Sequence, residues 1–321
     1  MRVVVTGAAG FIGKILCKRL VECGHFVYGV DISYDLVNQK NILQQVGLHS
    51  YEETYTNSDW YNYEDVDMII HLAADSLLGP SVYDPLKYMN NNVARLVQFL
   101  DTMKHNPIPI IFASSAAVYG DLNTSFGIKE HQAGKPINPY GLSKWFGEKI
   151  IEESCKAHGF KSYAMRFFNV AGAYGDLGQK LDQPHILTKM SLASVRGEKF
   201  IINGNSYNTF DGTCYRDYVH VLDVCNTLIT SMEHIYNAPT GTFDTFNLGR
   251  GHSVSNRQLA TTFSKLLSLD FDYSDARPGD PGYLIADKNK AYHKFGYKPT
   301  YTLTDIIIDH YNYVEENYAN H

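Results

Sequence analysis

The chain has 321 residues, of which 44% are hydrophobic and 19% charged, proportions that exclude a disordered chain and leave room for one large core and a smaller lobe. Lys and Arg number 28 against 34 Asp and Glu, a formal net charge of -6, so the chain has no basic footprint for nucleic acid or an anionic membrane, and any phosphate recognition must be local. The five cysteines, Cys17, Cys23, Cys155, Cys214 and Cys225, are odd in number and lack zinc-type spacing, which points to reduced thiols in a cytoplasmic protein with neither a disulfide framework nor a metal site.

The apolar opening from Arg2 to Ile15 is interrupted by Gly7, Gly10 and Gly13 and has no cleavage pattern, so it reads as folded structure rather than as a leader. No run is long enough to span a bilayer. The sequon Asn123, Thr124 and Ser125 stands without any other sign of secretion. There is no internal repeat and no low-complexity segment.

In chain order, a buried first strand is expected at Val3 to Val5, followed directly by T-G-A-A-G-F-I-G, Thr6 to Gly13, and a helix from about Phe11 to Cys23. In that context Gly7 permits a tight turn, Gly10 lets the backbone approach a pyrophosphate, and Gly13 lets the helix pack close to the strand. The helix N-terminus supplies N–H donors and a positive dipole end. A second strand, Phe26 to Val30, ends at Asp31, about the distance beyond the last glycine at which a carboxylate meets an adenosine ribose; its charge would repel a 2'-phosphate, which favours NAD over NADP.

Further strands are expected at 67–72, 108–114 and 161–167, with helices at 82–104 and 140–158, the alternation of a doubly wound parallel sheet. Tyr140 and Lys144 lie four residues apart, on one face of the last helix. A free phenol ionises near pH 10 and is a poor base at neutral pH. A neighbouring ammonium and an oxidised nicotinamide would both stabilise its phenolate. Tyr83 and Lys87 repeat the spacing, but only Tyr140 follows a strand ending in Ser114 and Ser115, at the carboxyl edge where such sheets place catalytic groups.

Beyond Asn169 the spacing changes, and 175–184 is rich in Gly, Asp and Gln, as a loop into a different lobe would be. A strand at 242–248 and a helix at 253–268 are expected to return to the main sheet or its edge. The expected fold is therefore α/β, a Rossmann-type sheet over 1–169 with returning segments near 220–250 and 280–290, and 170–321 forming mainly a smaller, discontinuous substrate lobe.

Taken together, these segments resemble the UDP-glucose 4-epimerase family of extended short-chain dehydrogenases, over essentially the whole length. The resemblance is carried by T-G-A-A-G-F-I-G from Thr6, H-L-A-A from His71, N-N-V from Asn91, S-S-A-A-V-Y-G from Ser114, P-Y-G-L-S-K from Pro139 and R-F-F-N-V-A-G from Arg166. It continues in D-G-T-C-Y-R-D-Y-V-H-V-L-D-V from Asp211 and R-P-G-D-P from Arg277. The last two are the more diagnostic, because the dinucleotide motifs belong to a wider superfamily.

The resemblance implies that Ser115 binds the substrate 4-hydroxyl, that Tyr140 is the base and later the acid, and that Lys144 tunes Tyr140 and holds the nicotinamide ribose. It places the cofactor among Gly7, Gly10, Phe11, Ile12, Gly13, Asp31, Leu72, Ala73, Ala74, Asn92 and Phe167. It assigns a UDP-sugar to Asn169, Leu187, Arg216, Arg277 and Asp280, the arginines supplying planar, permanently charged donors to a diphosphate. The implied activity is a UDP-hexose 4-epimerase, an isomerase of galactose metabolism that oxidises C4 to a ketone with bound NAD and reduces it from the opposite face. A homodimer through the helices 82–104 and 140–158 is also implied.

The chain departs from the family pattern at several positions. Ala117 replaces a common threonine, Ser76 stands where some members carry a cofactor-contacting lysine, and Phe167 replaces a frequent tyrosine. Leu284 holds the position that helps set tolerance for an N-acetyl group, and its intermediate bulk leaves plain and N-acetylated sugars both open. A sugar-nucleotide 4,6-dehydratase would need Asp and Glu where Ala116 and Ala117 stand. A UDP-glucuronate epimerase or decarboxylase stays open as an alternative, and a non-catalytic dinucleotide sensor would have no need of Ser115, Tyr140 and Lys144 together.

Overall fold

The computed structural model describes residues 1–32, 66–132, 134–276 and 280–318. They fall into two units, one of Met1–Gly120, Ala133–Arg166 and Cys225–Phe246, the other of Asp121–Gln132, Phe167–Val224 and Asn247–His321.

In the first unit the valine run forms β1 (Arg2–Thr6), with Val3, Val4 and Val5 all but inaccessible to solvent. Burial on both faces suits a central parallel strand: β1 lies between β2 (Phe26–Val30) and β3 (Met68–His71), with Val4 opposite Tyr28 on one side and Ile69 on the other. β4 (Ile110–Ser115), β5 (Ser162–Phe167) and β9 (Phe243–Leu248) complete a six-stranded parallel sheet of order β2-β1-β3-β4-β5-β9. Helix α1 (Phe11–Glu22) buries Ile15, Leu16 and Leu20 after β1. Phe99, Ile151 and Phe160 join Val4, Ile69, Ile110 and Phe112 in one apolar cluster on the sheet.

The helix expected over 82–104 is four pieces: α2 (Leu78–Tyr83), α3 (Pro85–Met89), a π turn (Asn90–Ala94) and α4 (Arg95–Met103). Pro85 has no N–H to continue α2, and it opens a new helix whose N-cap, Asp84, accepts from the Lys87 N–H at 3.2 Å. The strand expected from Ile108 begins two residues later, after Pro109, which has no donor for a ladder. Helix α5 (Pro139–His158) matches its expected span to within a residue; Asn138 caps it by accepting from the Gly141 N–H at 2.8 Å, and Gly159 ends it at φ 77°.

The second unit is built from short strands. β6 (Asn169–Ala171) runs parallel to β8 (Tyr215–His220), which pairs with β10 (Ser253–Ser255) and β12 (Tyr283–Leu284), while β7 (Phe200–Asn203) and β11 (Phe271–Ser274) form a separate parallel pair. Its helices are α6 (Ile186–Arg196), α8 (Asn256–Leu267), α9 (Asn289–Phe295) and α10 (Leu303–Tyr318), and α7 (Val221–Tyr236) runs from this unit back to the first. Met190, Ile202, Tyr218, Phe263 and Ile307 form its core.

Two expectations need correction here. The helix expected from Ser253 starts at Asn256, because Ser255 is its N-cap in a capping box with Gln258 and the three residues before it pair with β8. That helix and the 280–290 segment belong to the second unit, and of the returning segments only Cys225–Phe246 lies in the first.

Candidate active site

The glycine turn is fixed by backbone bonds. The Gly7 N–H donates to the Val30 carbonyl at 2.8 Å, and the Gly10 N–H donates to the Gly7 carbonyl at 3.0 Å. Gly7 has φ 73°, and a Cβ there would sit 2.8 Å from the Ala73 nitrogen; a Cβ on Gly13 would collide with the Gly7 carbonyl oxygen. Both positions therefore exclude any side chain, and the turn presses α1 against β1. Gly10 is the N-cap of α1 and brings no side chain to its first N–H groups, which leaves them for an anion.

Around this cradle, the Asp31 carboxylate accepts from the Ala9 N–H at 2.9 Å. The Leu72 N–H donates to the Thr6 carbonyl at 3.1 Å and the Ala73 N–H to Thr6 Oγ1 at 3.3 Å. Phe11, Ile12, Leu72, Ala73 and Ala74 are half-buried. Glycines that admit no Cβ, a bare helix start and a carboxylate at the end of β2 fit an adenine dinucleotide without a 2'-phosphate.

Asn92 sits in the π turn, a wide turn frequent at functional sites. Its amide nitrogen donates to the Asp75 carbonyl at 2.9 Å and to Ser143 Oγ at 3.0 Å, and its oxygen accepts from the Asp75 N–H at 2.9 Å. The side chain thus ties the segment after β3 to α5, one residue before Lys144.

Ser115, Tyr140 and Lys144 come together where β4 ends against the start of α5. The Ser115 side chain hydrogen-bonds Tyr140 and accepts from the Ala117 N–H at 3.1 Å. Tyr140 is half-buried, with its N–H donating to Ser81 Oγ at 3.2 Å and its ring edge-on to Tyr88 at 6.4 Å. Lys144 is buried, donates from Nζ to the Ala113 carbonyl at 2.7 Å and lies over the Phe112 ring. The other Tyr–Lys pair has no such setting: Tyr83 is 91% exposed at the end of α2, and Lys87, on α3, faces Asp75 at 3.5 Å.

Burial pushes the Lys144 ammonium down to about 8, against the pull of the Glu148 carboxylate. It pushes the Tyr140 phenol up, against the Ser115 hydrogen bond. Within the polypeptide, then, the lysine is directed at a carbonyl and the phenol is harder to ionise than in water.

A buried network beneath the site was not singled out from the sequence. Ser114 Oγ donates to Glu148 Oε1 at 2.5 Å, Arg166 grips Glu148 through Nε and Nη2 at 2.9 and 2.7 Å, and Arg166 Nη1 donates to the Tyr119 hydroxyl at 2.8 Å. The legible signal was a charge in a buried strand, Arg166, and a carboxylate one helical turn beyond Lys144.

In the second unit Arg216 and Asp280 come together. Arg216 Nη1 donates to the carbonyls of Tyr215 at 3.0 Å and Pro281 at 2.8 Å, and Nη2 lies 3.9 Å from Asp280 Oδ1. Asn169 opens β6 half-buried, Phe167 ends β5 half-buried, and Leu284 stands opposite Arg216 in the ladder. Arg277 lies outside the described residues. Leu187, which the resemblance assigned to the substrate, needs correcting: it has no exposed surface and packs in the apolar core of this unit. Asp217, also missed, accepts from the N–H groups of Arg250, Gly251 and Ala286 at 2.7, 2.8 and 3.1 Å and so joins three segments; burial pushes its carboxyl up to about 6 against those bonds.

A parallel sheet with a glycine cradle at one strand end and a Ser-Tyr-Lys cluster at another defines a Rossmann-type nucleotide-cofactor protein. The chain belongs to the NAD dependent epimerase/dehydratase family, whose model matches residues 3–249. It is 36% identical over 319 residues to a UDP-glucose 4-epimerase of Lactobacillus helveticus, covering 96% of this chain and 95% of that one. Among solved structures it resembles the UDP-glucose 4-epimerase of Bifidobacterium longum in complex with NAD+ and UDP, at TM-score 0.90, 31% identity and full coverage of both chains. It also resembles the UDP-glucuronic acid 4-epimerase of Bacillus cereus in complex with UDP-glucuronic acid and NAD, at TM-score 0.86, 25% identity and 99% and 100% coverage.

Proposed function

We propose that the protein is an isomerase, a UDP-hexose 4-epimerase that interconverts UDP-glucose and UDP-galactose, with the N-acetylated pair as further candidate substrates. The observation that carries this reading is the cluster of Ser115, hydrogen-bonded to Tyr140, and Lys144 one turn along the same helix, in a chain with full-length UDP-glucose 4-epimerase relatives. When bound, NAD would accept hydride from C4 of the sugar and return it to the opposite face of the resulting ketone.

The chain's own residues would hold and move the proton. Tyr140 Oη takes the proton of the 4-hydroxyl as the ketone forms and gives it back on the return step, with Ser115 fixing the same hydroxyl by a hydrogen bond. Lys144, while protonated, stabilises the phenolate and offers donors to a ribose. Gly7, Gly10, Gly13 and the start of α1 seat the pyrophosphate, and Asp31 accepts from the adenosine ribose. In the second unit Arg216, with Arg277, supplies charge-assisted bonds to the substrate diphosphate, Asn169 adds a polar contact there, and Asp280 accepts from the uridine ribose.

The assay is incubation of the purified protein with UDP-glucose, UDP-galactose and their N-acetylated and uronic counterparts, with the epimers resolved by NMR. Appearance of the C4 epimer of a neutral sugar is expected. Turnover of UDP-glucuronate alone would move the reading to the uronic class, and no epimer from any of them would overturn it.

The protein is further proposed to act as a cytoplasmic homodimer. Its five cysteines are all free, as suits a reducing compartment. Val82, Leu86, Val97 and Phe146, which are 58%, 78%, 46% and 41% exposed, lie on α2 to α5 of the first unit, the helices that the resemblance assigns to an interface with a second copy of the chain. Light scattering is expected to give a dimer, and Leu86→Asp combined with Val97→Asp a monomer. No helix among the described residues is long and apolar enough to cross a membrane.

A further inference from the structure

We propose that Glu148, clamped by Arg166, is a positioning residue for the Tyr140 and Lys144 pair, registering the end of β4 against α5 and keeping Lys144 charged. The inference rests on the functional reading above and goes beyond it by assigning roles to Glu148, Arg166 and Ser114.

The geometry has two arms. One carboxylate oxygen of Glu148 receives the Ser114 hydroxyl at 2.5 Å and Arg166 Nε at 2.9 Å. Ser114 lies between Ala113, whose carbonyl holds Lys144 Nζ, and Ser115, which bonds Tyr140. A bond from helix to strand at this one residue therefore sets the spacing of both contacts at once. The other oxygen takes Arg166 Nη2 at 2.7 Å, and Arg166 is held in turn by the Tyr119 hydroxyl and lies over its ring. Glu148 and Arg166 are 2% and 3% exposed, so the carboxylate is neither free to rotate nor screened by solvent.

The electrostatic arm follows from position. Glu148 is one helical turn beyond Lys144, and its negative charge opposes the loss of the lysine proton that burial favours. Among the described residues, the other charged or titratable groups facing this region are His71 from β3, Tyr88 from α3, Tyr119 after β4, Tyr140 on α5 and Arg166 from β5. His71 is held neutral by burial, its ring stacked on Phe99, and it hydrogen-bonds Thr6 Oγ1 at 2.9 Å. Tyr140 is neutral until it ionises. Arg166 is a cation, committed to Glu148. Among these groups Glu148 is the anion, and its charge supports Lys144.

The test is Glu148→Gln in the NAD-loaded protein, which keeps the shape and an acceptor for Ser114 but removes the charge. In protein labelled with 13C-lysine, the Lys144 Cε resonance, identified by its absence from Lys144→Met, is followed through a pH titration. The midpoint is expected to fall by about one pH unit relative to the native protein, and the alkaline limb of kcat to move down with it, with KM little changed. A lower kcat with both the resonance midpoint and the limb unmoved would overturn the proposal and leave Glu148 a structural residue.

Because Glu148→Gln leaves a buried guanidinium without its ion partner and could fail to fold, the double variant Glu148→Gln with Arg166→Gln is the second arm. Its midpoint is expected to fall in the same direction by a smaller amount, and an unchanged or raised midpoint would overturn the proposal. The resonance needs no sugar, so absence of epimerase activity in the native protein would sink the functional reading while the Glu148 result stood by itself.

Discussion

The surroundings of Tyr140 and those of the Arg216 guanidinium hold their polar groups in different ways. Around Tyr140 and Lys144, the side chains of Asn92, Ser114, Ser115, Ser143, Glu148 and Arg166 are joined to one another or to backbone over short distances, and most are buried. Around Arg216, one guanidinium nitrogen is fixed by two carbonyls, while the other stands 3.9 Å from an Asp280 that is 29% exposed. The first arrangement suits chemistry, where a displacement of an ångström is costly. The second, with a long ion pair and a partly exposed carboxylate, suits the proposed admission and release of a charged ligand.

The sharpest way to break this contrast is Tyr140→Phe. Loss of the proton-transferring hydroxyl is expected to lower kcat by about 10²–10⁴-fold with little change in KM, and full turnover in a steady-state assay would remove Tyr140 from the mechanism. Leu187→Ala probes the second unit's core: a stability loss of about 2–4 kcal/mol is expected in urea melts, with UDP affinity nearly unchanged, whereas a large loss of affinity without loss of stability would return Leu187 to the substrate site. Arg216→Met should weaken UDP binding about 10- to 100-fold by calorimetry, with kcat at saturation far less affected than in Tyr140→Phe; an equal fall in kcat would mean that the units do not divide binding from chemistry.

The smallest effect is in stability against pH. Burial holds Lys144 down at about 8 in the folded protein, against about 10.5 for an ordinary lysine, so between those values the unfolded chain binds more protons and the native fold gains stability as pH rises. Relative to Lys144→Met, the native protein is expected to gain on the order of 2 kcal/mol between pH 8 and 10.5. Parallel melting curves for the two across that range would show that burial does not burden the lysine.

How legible each part was follows from how local its cause is. The glycine turn, Asp31 and helix α5 are written in contiguous residues whose steric and capping requirements are read directly, and they lie where expected. The break at Asp84 and Pro85 is equally local, since Pro85 has no N–H to continue the preceding helix and Asp84 caps the next. The two- and three-residue strands β6, β10 and β12 owe their existence to pairing with β8, remote in sequence, and no local pattern announces them. The same holds for Arg166, which meets Glu148 across 18 residues and Tyr119 across 47.

The π turn at Asn90–Ala94 has a consequence for any attempt to transplant or shorten this part of the chain. It holds one surplus residue relative to regular α-helical winding, and a residue corresponds to about 100° of rotation. Deleting one there would give a smoother helix yet swing everything upstream by more than a quarter of a circle, carrying the Asn92 amide off Ser143. The irregularity acts as a phase setting, and a graft that straightened it would keep the helix while losing its aim.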